Sequence, residues 1–178
     1  TKDIHEIKPN IDREDKVTHG YDHNLKDKDH KGYYHLILLA KNENGYRNLL
    51  KIVSEGHING MYYKPRVSHK IIEKYHEDLI CCSACLAGEI PRKIVAGDMK
   101  GAEESINWFK SLFGEDYYLE VQLHKTEVQG LTGKAYDRVW EVYTNQLISN
   151  EGIFSLAEKT GVKVIATNDV HFVEKEDG

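Results

Sequence analysis

The chain has 178 residues, 40% of them hydrophobic and 30% charged, which excludes a disordered polymer and allows one soluble domain with a real core. Its formal charge is −5, from 24 basic and 29 acidic residues. A stand-alone nucleic-acid binder carries a basic excess, so any DNA contact must be local or come from another part of a larger protein. No apolar run reaches membrane-spanning length and no secretory hydrophobic stretch opens the chain. The start at Thr1-Lys2-Asp3, with Met61 and Met99 as the only methionines, reads as a piece of a longer open frame. Cys81, Cys82 and Cys85 cluster in one segment. An odd number so placed argues against a disulfide framework and for a reducing, cytoplasmic compartment.

Residues 1–31 are charged, mixed in sign and poor in apolar spacing, and hold His5, His19, His23 and His30 at no spacing that builds a closed metal site. They read as a flexible connection, with the folded domain running over 32–178. Tyr33 to Ala40 reads as a buried strand. After Asn44-Gly45, Tyr46, Leu49, Leu50 and Val53 define one face of a helix. Ser68 is placed to cap a second helix carrying Ile71, Ile72 and Tyr75. Leu79 to Ser83 is the next strand. Ala102, Ile106, Phe109 and Phe113 stripe a helix that Gly114 ends. Tyr117 to Gln122 is a strand. A long helix then presents Tyr136, Val139, Trp140, Tyr143 and Leu147 on one side, is expected to bend or break near Asn150–Gly152, resumes through Phe154 and Ala157, and stops at Gly161. Val162 to Thr167 is the last strand. Trp108 and Trp140 are expected in or near the core, and Glu174 to Asp177 as a solvated tail.

Strand and helix thus alternate four times, which predicts parallel strands in a layered or barrel α/β fold. Four strands do not close a barrel, so either the sheet is open or strands lie outside this piece.

The chemistry gathers just past the strands. In Ala166-Thr167-Asn168-Asp169-Val170-His171, residues two apart in extended backbone face one side. Asp169 and His171 therefore offer oxygen and nitrogen donors suited to Zn²⁺, Mn²⁺ or Fe²⁺; alternatively Asp169 caps a following helix and His171 packs nearby. Cys85 follows one strand and His124 another, so three strands deliver these groups to one edge of a parallel sheet, where α/β folds place their sites. His35, inside an apolar strand, needs a metal or a carboxylate as partner. The loop Tyr62-Tyr63-Lys64-Pro65-Arg66 offers Lys64 and Arg66 to a phosphate, or is an ordinary surface loop.

Five collinear blocks carry a resemblance: His35 to Leu49, Tyr63 to Arg66, Ser83-Ala84-Cys85-Leu86-Ala87-Gly88-Glu89-Ile90, Leu119 to Gln122, and Ala166 to Phe172. Together they resemble the PHP (polymerase and histidinol phosphatase) domain of bacterial replicative DNA polymerase III alpha subunits. The resemblance implies a partial, distorted (β/α)7 TIM-like barrel of parallel strands. The family's opening segment, with its His-x-His strand and further ligands, is expected to be missing. It also implies a multi-metal, phosphoesterase-like site for Zn, Mn or Fe whose matching ligands here are His35, Cys85, Asp169 and His171. His124 would be an outer-shell or phosphate-orienting group. No residue is assigned as catalytic. The implied parent is a DNA-directed DNA polymerase, a nucleotidyltransferase of DNA replication, whose PHP domain trims 3′ ends as an exonuclease or, alternatively, serves as a structural module docking a separate proofreading exonuclease. A free-standing PHP phosphoesterase is a further alternative, which the polymerase-like blocks disfavour. The palm carboxylates that add nucleotides are absent here. DNA and other replisome subunits are the expected partners, and an open barrel edge predicts self-association.

Overall fold

The computed structural model describes residues 33–62, 64–124, 132–168, 170 and 173. The segment 1–31, Tyr63, Asp169, His171 and residues 174–178 lie outside them. Among the described residues, strands β1 (Ile37–Ala40), β2 (Leu79–Cys82), β3 (Tyr117–Val121) and β4 (Lys163–Ala166) alternate with helices α1 (Glu43–Ile58), α2 (His69–Tyr75), α3 (Glu89–Val95), α4 (Met99–Phe113) and α5 (Lys134–Thr160). The strands form one sheet in the order β1-β2-β3-β4. β2 runs parallel to β3, with Cys81 opposite Tyr117, and β3 parallel to β4, with Leu119 opposite Val164. Parallel neighbours need long crossovers, and α3–α4 and α5 supply them. Not every pairing is parallel, since Tyr62 and Lys64 form an isolated antiparallel bridge. The α/β class thus stands as a four-stranded sheet with five helices; the described residues do not form a closed barrel.

The chain divides into two compact units, one holding Tyr33 and 39–79, the other 34–38 and the residues from Ile80 onward. In the first, Asn42 caps α1 by accepting from the Gly45 N–H at 3.0 Å. The apolar face does not turn fully inward: Tyr46, Leu50 and Val53 are exposed and Leu49 is half-buried, while Gly45, Asn48, Ile52 and Gly56 are buried. Close approach of backbone decides this, because a Cβ on Gly45 would stand 2.1 Å from the Asp78 carbonyl oxygen. Asn48 donates to the Glu77 carbonyl at 3.1 Å, which satisfies its buried amide. Ser68 precedes α2 as expected, without a side-chain capping bond, and Ile72 is buried.

In the second unit the α4 stripe of Ala102, Ile106, Phe109 and Phe113 is buried as expected, and the helix ends at Gly114 with φ +56°. The Phe109 ring stacks on Tyr117 with centroids 5.3 Å apart. Helix α3 was not anticipated. Helix α5 is continuous where a bend or break was expected, and ends at Gly161 with φ +70°. Gly152 is a contact point instead: a Cβ there would lie 2.4 Å from Ile94 Cγ2. The inward residues of α5 include Gln146, Ser149, Ile153 and Leu156, while Tyr136, Trp140 and Leu147 are exposed. Trp140 is therefore a surface residue stacked on Tyr136, not a core one. The strand expected over Tyr33 to Ala40 is also shorter than read. β1 stands at an end of the sheet order, and its Ile37 and Leu39 are exposed.

Candidate functional site

β2 ends at Cys82, and the chain leaves it through Ser83 and a left-handed Ala84, φ +65°. That conformation costs an L residue roughly 1–2 kcal/mol, and it brings Cys85 out of the core to a half-buried position. Alongside, the His35 N–H donates to the Ala87 carbonyl at 2.9 Å, and His35 pairs with Gly88 in a parallel bridge. The His35 Nδ1 lies 3.7 Å from Cys85 Sγ. His35 is thus exposed and ahead of β1, not enclosed in an apolar strand, and the Cys85 thiol stands beside it.

The spacing of this pair fits a shared ion. With Zn–S near 2.3 Å and Zn–N near 2.0–2.1 Å, two donors at a tetrahedral angle sit roughly 3.6 Å apart. Cys81 and Cys82 are buried in the core, whereas Cys85 is half-buried. Burial, with smaller contributions from Cys82 and Glu120, pushes the Cys81 thiol well up, and burial together with Glu120 raises Cys82 to about 11. Both are neutral thiols near pH 7. Among the described residues no group of three or more His, Cys, Asp or Glu stands close enough to hold a metal. Asp169 and His171 lie outside those residues.

Behind Cys85 runs a polar network that was not anticipated. Glu120 of β3 is buried, and its Oε1 accepts the Ala84 N–H at 2.8 Å. Its Oε2 accepts the Thr167 hydroxyl at 2.7 Å, just past β4. The Glu120 N–H in turn donates to Ser83 Oγ at 2.8 Å. Gln122 donates to Thr167 Oγ1 at 3.1 Å, and Asn150 of α5 donates to the Gln122 carbonyl at 2.9 Å. His124, past β3, is held at two points by Gln146: its backbone N–H donates to Oε1 and its Nδ1 receives from Nε2, each at 2.8 Å. Cys85, Glu120, Gln122, Gln146 and Asn150 border a recess of about 10 Å³, the room one water molecule needs. The available signal was Glu120 and Gln122 at period two on the strand read over Tyr117 to Gln122, where a polar side chain on a buried face must find partners.

Lys64 and Arg66 belong to the first unit, and His35, Cys85 and His124 to the second. Arg66 lies over the Tyr62 ring at 4.6 Å and donates to the Tyr62 carbonyl at 3.2 Å; Lys64 lies 5.7 Å from the Tyr33 ring centroid. Cation–π contacts of this kind hold a charge at the surface without removing it from solvent. No helix among the described residues is long and apolar enough to cross a membrane.

Comparison with known proteins adds to this geometry. A family model described as "PHP domain" matches residues 2–124. DNA polymerase III subunit alpha of Borreliella burgdorferi is 44% identical over 144 residues, which cover 81% of this chain and 11% of that protein. The same subunit of Treponema pallidum is 40% identical over 146 residues, 82% of this chain and 11% of that protein. That of Deinococcus radiodurans is 33% identical over 176 residues, 97% of this chain and 12% of that protein. The chain thus spans 11–12% of the length of these curated relatives.

Proposed function

This chain belongs to the PHP domain family, and from that premise we propose that it is the PHP module of a bacterial replicative DNA polymerase alpha subunit and holds a divalent metal at the carboxyl ends of its strands. The observation that carries the metal reading is the thiol–imidazole pair of Cys85 and His35 at 3.7 Å. In this reading Asp169 and His171, three and five positions past the end of β4 at Ala166, supply the remaining donors of this chain. Sulfur, nitrogen and oxygen donors together suit Zn²⁺, Mn²⁺ or Fe²⁺. When bound, such an ion supplies Lewis acidity toward a phosphoryl oxygen and acidifies coordinated water. The chain's own residues do the positioning. His35 and Cys85 present donors from neighbouring backbone segments, and Gln146 fixes His124 as a phosphate-orienting or outer-shell group; in the other unit, Lys64 and Arg66 are the cations read as a phosphate contact, Arg66 also donating to the Tyr62 carbonyl. The intact protein would close the strands into a distorted (β/α)7 barrel, act on DNA in the cytoplasm, and trim 3′ ends by phosphodiester hydrolysis.

A second reading is a docking module for a separate proofreading exonuclease. It is favoured by the exposed, mutually stacked Tyr136 and Trp140. Elemental analysis by plasma mass spectrometry separates the two. Stoichiometric Zn, Mn or Fe in the purified chain, absent from an Asp169→Asn, His171→Asn variant and depleted in Cys85→Ser, supports the metal reading. A metal-free wild type that keeps its melting temperature favours the docking module.

A further inference from the structure

We propose that Glu120 is the positioning residue that ties the two ligand-bearing strand exits together, an inference that deepens the metal reading above. β3 lies between β2 and β4 in the sheet, so a side chain at its exit is placed to reach the exits of both neighbours. Glu120 does so with separate oxygens, Oε1 to the Ala84 N–H and Oε2 to the Thr167 hydroxyl. Ala84 immediately precedes Cys85, and Thr167 stands two residues before Asp169 and four before His171. One buried carboxylate therefore joins Ala84, the residue before the thiol, to Thr167, the residue just past β4. It also holds Ala84 in its left-handed turn, a strained conformation that persists only when its surroundings fix it. Gln122 reinforces the same hydroxyl, and Ser83 returns a bond to the Glu120 backbone.

A second buried carboxylate offers a contrast. Glu89 accepts from Lys93 at 2.9 Å and from Ser105 at 2.6 Å, on α3 and α4. None of those bonds touches a strand exit. Glu120 and Glu89 should therefore separate in experiment. An amide at position 120 retains an acceptor for the Ala84 N–H, yet its NH2 can only donate to the Thr167 hydroxyl, so the charge-assisted bond is lost and the hydroxyl proton is left without its carboxylate acceptor.

The test titrates the full, metal-free chain with Zn²⁺ against a competing chelator. Glu120→Gln is expected to weaken binding about 10–100-fold, the usual size of an outer-shell loss. Thr167→Val should weaken it likewise, and the double variant should lose no more than either alone. Glu89→Gln should lower the melting temperature and leave Zn²⁺ affinity in place. Equal affinity in Glu120→Gln and wild type, or equal loss in Glu89→Gln, overturns the proposal. Amide hydrogen exchange of the metal-free chain supplies a readout independent of any ion. Glu120→Ala should speed exchange at Ala84 about tenfold, as expected for one lost hydrogen bond, while Leu119 stays protected. If wild type takes up no Zn²⁺, the metal reading fails, and the exchange result alone decides on Glu120. Faster exchange at Ala84 then supports its positioning role, and unchanged exchange overturns it.

Discussion

In α4 every position of the apolar stripe, Ala102, Ile106, Phe109 and Phe113, is buried, whereas in α1 the stripe of Tyr46, Leu50 and Val53 stands 56%, 49% and 47% exposed. Both helices show helical spacing of large apolar residues, so spacing is not what separates them. The difference lies in what the facing backbone permits. α4 meets flat side chains such as Tyr117, against which Phe109 stacks. At position 45 α1 meets a carbonyl too close for any side chain, so glycine sits there, with the hydrogen-bonded Asn48 and Ile52 on the same buried face. Periodicity marks a face, and backbone proximity decides which face is inside.

Three substitutions test this contrast, in decreasing order of effect. Phe109→Ala should cost about 3–5 kcal/mol, because it removes a fully enclosed ring and leaves a cavity; denaturant unfolding reads it. A loss below about 1 kcal/mol would mean the α4 face repacks freely and the contrast with α1 is hollow. Gly45→Ala should destabilise the chain by about 1–3 kcal/mol despite adding a better helix former, because the methyl overlaps the Asp78 carbonyl oxygen. If alanine there raises the melting temperature, close approach is not what orients α1. Leu50→Ala should fall within about 0.5 kcal/mol, as for an ordinary surface site. A cost several times larger, measured on monomeric protein, would show that the α1 stripe is covered after all.

Much of this architecture was legible in the residues, and the failures have physical causes. The α4 stripe and the glycines at positions 114 and 161 were readable because apolar spacing and positive φ leave local marks. Helix α3 was not, since seven residues that include Pro91 carry too little periodicity to register. A bend or break was expected near Asn150–Gly152, where glycine weakens helices in general, whereas here Gly152 admits Ile94 within a continuous helix. At the site, strand exits pointed to Cys85 and His124 one by one, but nothing local to His35 places it beside Cys85, fifty positions along the chain. The Glu120 network escaped for a similar reason. Its partners come from two segments, Ser83–Ala84 and Thr167, each far from Glu120 in the chain, and no spacing within one segment encodes them.

The hold of Gln146 on His124 has a consequence for where a proton resides. A backbone N–H can only donate, so the amide end that meets it must be the oxygen, and the end facing the ring must be the NH2. The ring nitrogen there is then an acceptor, which places the proton of the neutral imidazole on Nε2. To present a lone pair at Nε2, the ring would have to shift that proton to Nδ1, directly against the NH2, and the amide would have to turn over and surrender the backbone bond. His124 in this tautomer meets an approaching anion with a donor and offers an approaching cation none of its ring lone pairs.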